Sequence, residues 1–304
     1  MQDIQIVIDI GTNSVRLLAA RQGSSRLETL HKRLVTTRLG RDVGGDGRLD
    51  TESIERTVNG VCELLEWGRM HYGDAPVRVF ATSALREAPN SSDFTGLLSR
   101  RTGLDVHIVS GEEEAQLAFA GAVETDRRSG VIDIGGGSTE LMIGEAGRIG
   151  YMQSVQLGVV RLRNLLDLSG ILSKDEEAVL RDAVRLGLEK FTLSREAAAG
   201  AEWVGVGGTV TVLAAIEARL TEYSPQAIQK LHLDIDTVRG WYARLINMEL
   251  EEKKRLHGLP QDRADIIAGG ACILLGFMER FGVERLKVSD RDNLEGYLKR
   301  YGPK

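Results

Sequence analysis

Apolar and polar residues alternate through residues 4–35, and glycine or polar residues separate the apolar runs. Alternation with a period of two places every second side chain on one face of a strand, so this segment predicts a meander of strands. Residues 51–70 instead repeat apolar side chains at helical spacing, which predicts a helix. Apolar runs at 77–83 and 106–109 predict two further strands, with a helix between them that ends near Gly103. This alternation of strand and helix indicates an α/β layer architecture.

The second half of the chain begins with another series of strands and continues with helices. Residues 131–143 and 148–154 have strand character, whereas Ser173 and Glu176 form a capping box that predicts a helix running to about Glu196. Residues 237–281 are predicted to be helical throughout. We interpret the oppositely charged residues spaced four apart in this tract as a solvated face: Glu249 with Lys253, and Glu251 with Arg255.

Length and composition restrict the classes of protein that this sequence can encode. A chain of 304 residues with 42% hydrophobic residues is long for one core and natural for two globular domains. Because no proline-rich linker is present, we expect an N-terminal domain of residues 1–124 and a C-terminal domain of residues 125–304, joined by a short hinge at 124–129. The formal charge of −5 argues against a general binder of nucleic acids or membrane surfaces, so any anionic ligand must be held by local groups.

The cysteines and the absence of a targeting pattern favour a reduced, cytoplasmic protein. Cys62 and Cys272 lie far apart in apolar, helix-like segments, and the histidines show no ligand spacing with them, so neither a disulfide nor a zinc site is expected. The start of the chain lacks the basic region of a signal peptide. The longest apolar stretch, residues 266–278, is too short to cross a bilayer.

One short pattern occurs twice in the chain. Residues 7–14 read VIDIGTNS, residues 131–138 read VIDIGGGS, and a second apolar stretch follows each copy. Each copy predicts an apolar strand that ends in Asp, a glycine-bearing turn and a returning strand, which together form a hairpin. A single turn of this kind is common, and its Asp often only caps the turn, but two matching copies are hard to attribute to chance.

The predicted tips of both hairpins have the chemistry of a phosphate site. Glycine lets the backbone approach an anion and point N–H groups at it, and Asp9 and Asp133 can each hold a hydrated divalent cation. Two such tips facing each other would clamp a phosphoryl group from both sides. At residues 203–211 a third strand-to-glycine turn opens a helix, where Gly207 and Gly208 could hold a phosphate, although such turns also occur as plain connections. Hydroxyl groups that add donors to the two tips are those of Thr12, Ser14 and Ser138.

The two hairpins carry opposite charges at matching places. Arg16 stands two residues beyond Ser14, and Glu140 stands two residues beyond Ser138. This asymmetry is consistent with one hairpin serving a phosphate and the other a metal.

An acidic run, residues 110–115 (SGEEEA), opens a predicted helix. Ser110 and Glu113 form a capping box, and acids in the first turn complement the helix dipole, which accounts for Glu113. This explanation suits Glu114 less well, because adjacent carboxylates repel one another. If the helix start faces the tips, Glu114 can accept a proton from an attacking water. Arg86 follows a predicted strand, and its guanidinium can form a bidentate hydrogen bond with phosphate oxygens, although a plain surface arginine is the simpler interpretation.

Together these motifs resemble those of a known family. The two tips and the turn at 205–209 are similar to the two phosphate loops and the third glycine motif of the superfamily of acetate and sugar kinases, Hsp70 and actin. More narrowly, the chain resembles the exopolyphosphatase and guanosine pentaphosphate phosphohydrolase family over nearly its whole length. The segments that carry this resemblance read DIGTNS (9–14), ATSALR (81–86), SGEEEA (110–115), IDIGGGSTE (132–140), LGVVRL (157–162) and GVGGT (205–209).

The resemblance implies an α/β fold of two ribonuclease-H-like (actin-like ATPase) domains with a central cleft, in which the last helix, about 291–304, packs back on the N-terminal domain. It implies that Glu114 is the catalytic base, that Arg86 stabilises the transferred phosphoryl group, and that Asp133 serves catalysis through Mg²⁺. The expected metal ligands are Asp9, Asp133 and Glu140. The residues expected to bind substrate are Thr12, Asn13, Ser14, Gly135, Gly136, Gly137, Ser138, Gly207, Gly208 and Thr209.

Two positions depart from the family pattern. Gln116 stands where the family usually has arginine after Glu-Ala. Residues 289–296 read SDRDNLEG, where the family usually reads Ser-Asp-x-Gly-Leu-Arg-Glu-Gly, so Leu294 occupies the arginine position. Neither departure touches the tips or Glu114, but the missing arginine is expected to weaken a contact in the cleft or to shift which chain lengths are used.

We therefore expect a cytoplasmic, Mg²⁺-dependent hydrolase that removes terminal phosphate from inorganic polyphosphate. Two alternatives stay open: a 5′-phosphohydrolase of guanosine pentaphosphate (pppGpp), and a sensor that binds polyphosphate or guanosine alarmones with little turnover. The resemblance further implies a homodimer, and neither a nucleic acid nor a membrane is an expected partner.

Overall fold

The computed structural model describes residues 4–23, 27–40, 46–123, 127–146, 148–222, 224–229 and 231–302. The chain divides into two compact units. The first unit contains the chain up to Leu117 together with the segment from Asn293 onward, and the second unit runs from Ala118 to Asp292. The boundary expected from the sequence, between residues 124 and 125, lies outside the described residues.

Strands and helices alternate along both halves of the chain. The elements up to residue 122 are β1 (Ile4–Ile10), β2 (Ser14–Gln22), β3 (Leu27–Thr36), α1 (Thr51–Tyr72), β4 (Val77–Ala81), α2 (Ser83–Glu87), α3 (Ser91–Thr102), β5 (Val106–Ile108) and α4 (Gly111–Ala122). The elements that follow are β6 (Ser129–Ile134), β7 (Thr139–Glu145), β8 (Arg148–Val155), α5 (Val159–Leu165), α6 (Lys174–Leu188), α7 (Arg195–Ala198), β9 (Glu202–Val206), α8 (Gly207–Glu217), α9 (Pro225–Ile228), β10 (His232–Asp234), α10 (Ile235–Leu245), α11 (Leu250–Lys253), a 3₁₀ turn (Gln261–Arg263), α12 (Ile267–Phe281), β11 (Arg285–Val288) and α13 (Asn293–Tyr301).

The sheet of the first unit has the strand order β3-β2-β1-β4-β5. Strands β1, β2 and β3 pair antiparallel, as the alternating pattern predicts, and β4 and β5 extend the sheet parallel to β1. Helices α1 and α3 share an apolar core with one face of this sheet. On the other face, Leu294 and Leu298 of α13 pack with Val7 and Phe80. The carboxyl ends of β1, β4 and β5 therefore meet at one edge, where the first hairpin tip lies.

The sheet of the second unit has the order β10-β11-β9-β6-β7-β8. Strands β6, β7 and β8 repeat the antiparallel arrangement of β1 to β3, and β9 and β11 continue parallel to β6. Helix α12 is apolar around most of its circumference and is buried, because α5, α6, α8 and α10 pack around it. The carboxyl ends of β6 and β9 lead directly into the second tip and into the glycine turn at Gly207.

The helix that begins after Ser173 is shorter than its sequence predicts. Its capping box with Glu176 is present, but α6 ends at Leu188 rather than near Glu196. Phe191 and Leu193 then enter the core, and a separate short helix, α7, follows. The prediction was wrong because apolar residues continue past the helix end, where they serve packing rather than helical periodicity.

The tract at 237–281 is not one helix but is divided into α10, α11, the 3₁₀ turn and α12. Lys253 is buried rather than solvated, and its Nζ donates to the carbonyl oxygens of Leu168, Ser169 and Gly170 at 2.8, 2.9 and 3.2 Å. Burial lowers the pKa of Lys253 to about 8. The solvated-face interpretation is therefore wrong at this lysine, because charge spacing alone does not show which side of a helix meets the core.

Both cysteines are free, as the sequence predicts. Cys272 is buried, and burial raises the pKa of its thiol to about 12, so it is a neutral core residue. No helix within the described ranges is long and apolar enough to cross a membrane.

Candidate active site

The two predicted hairpins are present, and their tips share one geometry. The N–H of Gly11 donates to the carbonyl of Ser14 at 3.0 Å, and the N–H of Gly135 donates to the carbonyl of Ser138 at 2.9 Å. In each hairpin the Asp of the first strand is paired across the ladder with a charged residue of the second. These pairs are Asp9 with Arg16 and Asp133 with Glu140. The repeated sequence is therefore a repeated structure.

The first tip is fixed by contacts within the first unit. The hydroxyl groups of Thr12 and Ser83 are hydrogen-bonded at 3.0 Å, which ties the tip to the start of α2. The carbonyl of Asn13 accepts from the N–H groups of Thr37 and Arg38 at 3.1 and 2.8 Å. The buried Nδ2 of Asn13 has no hydrogen-bond partner among the described residues. An unsatisfied buried donor costs about 1–3 kcal/mol, so an acceptor from a bound ligand or water would stabilise this tip.

Arg16 joins the first hairpin to the last helix. Its Nε donates to Oδ2 of Asp9 at 3.0 Å, and its Nη2 contacts the same oxygen. The Nη2 also donates to Oδ1 of Asn293, the first residue of α13, at 2.6 Å. Asp9 and Asn293 are both buried. A carboxylate, a guanidinium and an amide thus form one partly buried polar cluster beside the tip.

Glu114 and Arg86 are brought together although 28 positions separate them in the sequence. Nη1 of Arg86 donates to Oε2 of Glu114 at 2.8 Å and to the carbonyl of Val109 at 3.1 Å. Arg86 lies on α2, which follows β4, and Glu114 lies on α4, which follows β5. Since β4 and β5 are adjacent and parallel, the helices that follow them begin at the same edge of the sheet. Arg86 is therefore not a plain surface arginine.

The surroundings of Glu114 change its acidity. Burial raises the pKa of Glu114 from 4.5 to about 7, although the charge and hydrogen bond of Arg86 oppose this rise. The charge of Asp9 raises the pKa of Glu114, and the charge of Arg16 lowers it, so both residues lie within electrostatic range of the carboxylate. A carboxyl group with a pKa near 7 is suited to accept a proton at neutral pH.

The neighbouring acid Glu113 has a structural role. Its N–H donates to Oγ of Ser110 at 3.0 Å, which is the predicted N-cap contact. Its carboxylate contacts the hydroxyl of Tyr301 in α13 and lies 3.5 Å from Nε2 of His107. Glu113 is thereby accounted for by packing, and Glu114 is the acid of the run that meets the partly buried guanidinium of Arg86.

The carbonyl groups of the second tip are bonded to α5. The first two N–H groups of α5 donate to the carbonyls of Gly135 and Gly136 at 3.1 and 2.8 Å. Nε of Arg161, in the same helix, donates to the carbonyl of Gly137 at 2.6 Å. Because these carbonyls point into the protein, the tip can offer N–H groups and the Ser138 hydroxyl to an anion.

The glycine turn before α8 packs against Asp133. Gly207 has a φ of +80°, which favours glycine, and a Cβ at this position would collide with Oδ1 of Asp133. Oγ1 of Thr209 donates to the carbonyl of Ile134 at 3.3 Å. The third motif and the second tip are therefore parts of one site in the second unit.

A guanidinium lies at the start of α8. A Cβ at Gly208 would collide with the guanidinium of Arg263, which comes from the 3₁₀ turn before α12. The N-cap of α8, Val206, makes no side-chain cap to the first N–H groups of the helix. Backbone N–H groups and an arginine at a helix N-terminus are groups that bind phosphate.

The carboxylates of the second hairpin fit a hydrated Mg²⁺. Asp133 and Glu140 are buried cross-strand partners, so their side chains project from the same face of the sheet. Oε1 of Glu140 accepts from Oγ of Ser154 at 2.6 Å, which fixes its orientation. Across the described ranges no group of three or more His, Cys, Asp or Glu side chains could hold a metal unaided. Mg²⁺ typically takes only one or two carboxylates and completes its shell with water and phosphate, so a carboxylate pair is sufficient.

Each unit gathers its own set of predicted residues. In the first unit, Asp9, Arg86 and Glu114 lie together near the tip at residues 11–14, and in the second the carboxylate pair lies with the tip and the glycine turn. Asp9 stays a predicted metal ligand, but its Oδ2 is engaged by Arg16, so a metal there would compete with a guanidinium.

Three side chains at these sites were missed from the sequence. Arg161 lies within the LGVVRL segment, so that motif could have indicated its contact with the second tip. Arg263 and Asn293 reach their sites from distant parts of the chain, and no local spacing connects them to Gly208 or Arg16.

Comparison with known proteins places this chain among phosphatases. The profile of the Ppx/GppA phosphatase family matches residues 17–303. Exopolyphosphatase 2 of Mycobacterium tuberculosis is 33% identical over 306 residues, which cover 95% of this chain and 95% of that protein. A guanosine-5′-triphosphate,3′-diphosphate pyrophosphatase of Aeromonas hydrophila is 29% identical over 297 residues, which cover 96% of this chain and 58% of that protein.

Solved structures show the same architecture. The Aquifex aeolicus PPX-GPPA enzyme is 30% identical, with a TM-score of 0.77 and coverage of 97% of this chain and 99% of that one. An exopolyphosphatase-like protein is 27% identical, with a TM-score of 0.88 and coverage of 98% of both chains. These matches confirm the predicted α/β class, with two sheets of the actin-like ATPase fold.

Proposed function

Since the chain belongs to the Ppx/GppA phosphatase family and is accordingly a hydrolase of phosphoanhydride bonds, we propose that it removes terminal phosphate from inorganic polyphosphate. The observation that carries this proposal is the buried carboxylate of Glu114, whose pKa is raised to about 7 and whose Oε2 accepts from Arg86 at 2.8 Å. A base of this strength beside a phosphate-binding tip is what hydrolysis by water requires.

In the proposed reaction Glu114 is the general base. Arg86 bonds Oε2, and the other carboxylate oxygen accepts a proton from the attacking water. The water oxygen forms a bond to the terminal phosphorus while the bridging P–O bond breaks, and the electron pair of that bond stays with the shortened chain. Little covalent help is needed from the protein, because phosphoryl transfer is accelerated mainly by positioning and by charge stabilisation.

The tips and Arg86 supply positioning and charge stabilisation in this proposal. Nδ2 of Asn13 donates to a phosphate oxygen, which would satisfy the buried donor described above. In the same unit, Arg86 neutralises charge on the transferred group. In the second unit, the N–H groups of residues 135–138 and of the first turn of α8 offer donors to phosphate oxygens. Removal of the donors of either unit is therefore expected to reduce turnover.

Asp133 and Glu140 would hold Mg²⁺ in the same proposal. When bound, the ion neutralises charge on phosphate oxygens. The chain prepares the site by packing Gly207 against Asp133 and by the hydrogen bond from Ser154 to Glu140.

Polyphosphate is proposed over pppGpp because a relative that matches over 95% of both chains is named for polyphosphate, whereas this chain covers only 58% of the pyrophosphatase described above. Phosphate release from polyphosphate and from pppGpp, measured side by side with and without Mg²⁺, tests this choice. We expect a higher kcat/KM for polyphosphate. A higher kcat/KM for pppGpp would reassign the substrate, and binding of either compound without release would indicate a sensor.

We propose further that the protein is a cytoplasmic homodimer. The two free cysteines support a reducing compartment, and the family resemblance supports the dimer. Light scattering during size-exclusion chromatography would measure the mass of the particle against the 33.3 kDa of one chain.

A further inference from the structure

A cavity in the second unit has no role in the mechanism above. Its volume is about 710 Å³, within the range typical of sites that bind small molecules. None of the described residues that line it belongs to the tips, the glycine turn or the carboxylate pair. We propose that this cavity binds a small anion with two or more phosphate groups, and that Arg285 and Lys287 hold it. The inference concerns binding alone and is independent of the proposed function.

Strand pairing places the basic side chains on one face of the second sheet. Lys287 of β11 pairs with His232 of β10 on one side and with Val204 of β9 on the other. Cross-strand partners project to the same side of a sheet, and Arg285, two residues before Lys287, projects to that side as well. Leu286, which lies between them, belongs to the apolar core around α12. The cations therefore line the face that does not pack against α12.

The charge of these cations is poorly compensated. Within the part of the chain that the structure describes, neither Arg285 nor Lys287 forms an ion pair with a carboxylate. Asp234, the cross-strand partner of Arg285, attracts it at longer range, but the Asp234 carboxylate accepts from a backbone N–H of α10 at 2.8 Å. Glu202 is the one carboxylate among the described lining residues, and it is paired with Arg127 at 2.9 Å. In a chain of formal charge −5, this local excess of positive charge favours an anionic ligand.

One wall of the cavity is held in place by hydrogen bonds. Oγ of Ser289, a buried residue, donates to the carbonyl of Arg291 and accepts from the N–H of Arg291, both at 3.1 Å. Nε2 of Gln229 donates to the same hydroxyl oxygen at 3.3 Å. His232 and Arg291 also line the cavity, and each interacts with other groups of the chain. The wall is therefore formed before a ligand binds, which lowers the entropic cost of binding.

The arrangement of the cations indicates the class of anion. Guanidinium and ammonium groups both bind phosphate oxygens. Residues two apart on a strand are separated by about 7 Å, so Arg285 and Lys287 suit an anion that extends over more than one phosphate group. Ala122 and Val123, at the end of α4, add apolar surface to the cavity, which suits a nucleoside. A short polyphosphate and a nucleoside triphosphate share the chemistry that the cations recognise, and the test separates them.

The test uses His232 as a reporter, because this residue lines the cavity and the two tips contain no histidine. The full-length protein is labelled with ¹³C-histidine, and the Cε1–H resonance of His232 is assigned by its loss in His232→Gln. Tripolyphosphate and ATP are then titrated separately, in EDTA to prevent Mg²⁺-dependent hydrolysis and in about 0.15 M NaCl to screen weak surface attraction. We expect a saturable shift of the His232 resonance with at least one of the two ligands.

Charge-removing variants show whether the shift reports binding in the cavity. Lys287→Gln and Arg285→Gln should each raise the Kd measured at the His232 resonance by about 3- to 10-fold, the loss expected for a charged contact that is open to solvent. Both side chains are exposed, so the variants should fold as the wild type does. Lys174→Gln is the matched control, because Lys174 is an exposed lysine at the start of α6 in the same unit, and its Kd should be unchanged.

The two ligands separate the sources of the phosphate groups. A saturable shift with tripolyphosphate, with or without one for ATP, supports recognition of the phosphate chain itself, and a shift with ATP alone supports a nucleotide site. The absence of a saturable shift with both ligands overturns the inference, as does a Kd that Lys287→Gln and Lys174→Gln change equally. Because no turnover is measured, this failure would leave the proposed hydrolysis untouched, and a protein that releases no phosphate could still show the expected shift.

Discussion

At Glu114 two opposing effects decide the charge state of one carboxyl group. Burial favours the neutral form, and the Arg86 guanidinium at 2.8 Å favours the ionised form. Burial is the larger effect, so the pKa of Glu114 stands at about 7 rather than 4.5. The same carboxyl on an exposed helix start would be too weak a base to matter. The environment, and not the residue type, therefore selects Glu114 from a run of three acids.

The pH dependence of activity should report this carboxyl directly. Because the base must be ionised, kcat/KM for phosphate release should rise with pH through about 7 and level off above it. Arg86→Met removes the charge that lowers the pKa of Glu114, so the rise should move to higher pH. Arg100→Met, which removes an exposed arginine, should leave the profile in place. A wild-type profile that rises near pH 4.5, or one that Arg86→Met does not move, would contradict the assignment.

The sequence indicates both residues but not their contact. Glu114 and Arg86 each stand in a motif, so both could be named as candidates. Their hydrogen bond depends on the parallel pairing of β4 with β5, which brings two helix starts to one edge of the sheet. No local pattern encodes that pairing, and for the same reason the contacts of Arg16 with Asn293 and of Gly208 with Arg263 were beyond prediction.

Among the elements, the turn from β9 into α8 couples backbone conformation to Asp133, which we propose to be a catalytic residue. Gly207→Ala would place a Cβ at a φ of +80° and against Oδ1 of Asp133. We expect a loss of about 1 kcal/mol or more in unfolding free energy from the backbone and a fall in kcat/KM on the order of 10- to 100-fold from displacement of Asp133.

Gly200→Ala is the matched control for that variant. Gly200 has a φ of +77°, but an added Cβ there meets nothing within 4 Å. Urea unfolding should show a cost in both variants, larger in Gly207→Ala because of the collision, whereas only Gly207→Ala should lose activity. Equal kcat/KM values in the two variants would mean that contact with Asp133 is unimportant.

The loop between α5 and α6 depends on a buried ammonium group. Lys253→Met keeps the length of the side chain but leaves three carbonyl oxygens, those of residues 168–170, without their donor. We expect the unfolding free energy to fall by about 1–3 kcal/mol. The variant no longer buries a charge, which is favourable, but the unsatisfied carbonyl acceptors cost more than this gain. Lys254→Met, which breaks only an exposed pair with Glu251, should change stability by less than about 1 kcal/mol. Equal urea midpoints for the two variants would show that the ammonium contributes nothing.

The elements also show where sequence patterns succeed and fail. The hairpins were predictable because alternation, Asp and glycine are all local signals, and each strand meets its partner through a short turn. The end of α6 and the burial of Lys253 could not be predicted in this way. Phe191 packs in the core after the helix ends, and Lys253 is buried because it donates to carbonyls near Gly170, and both contacts are tertiary. Local signals therefore identified the tips, whereas tertiary contacts determined the environment of each side chain.

At the scale of the whole molecule, one hairpin design is used twice with different partners. In the first unit Asp9 faces Arg16, and in the second Asp133 faces Glu140. The first copy is therefore compensated by a guanidinium, and the second offers two carboxylates to a cation. This difference agrees with the charge asymmetry seen in the sequence and supports the proposal that Asp133 and Glu140 hold the metal.

Removal of metal should accordingly stop the enzyme. Phosphate release from polyphosphate should cease in excess EDTA and return when Mg²⁺ is added, and Asp133→Asn should require at least about tenfold more Mg²⁺ for half-maximal activity. Glu145→Gln, an exposed carboxylate at the end of β7, should behave as the wild type. Full activity in EDTA would remove Mg²⁺ from the mechanism.

The most direct test of the central claim is phosphate release from polyphosphate by the wild type and by Glu114→Gln, with Glu112→Gln as the exposed neighbouring control. ³¹P NMR would follow the loss of terminal phosphate and the appearance of inorganic phosphate. Wild type and Glu112→Gln should release phosphate at similar rates, while Glu114→Gln should bind polyphosphate with similar affinity yet turn over about 10²- to 10⁴-fold more slowly. Near-normal release by Glu114→Gln, or no release by the wild type, would contradict the account.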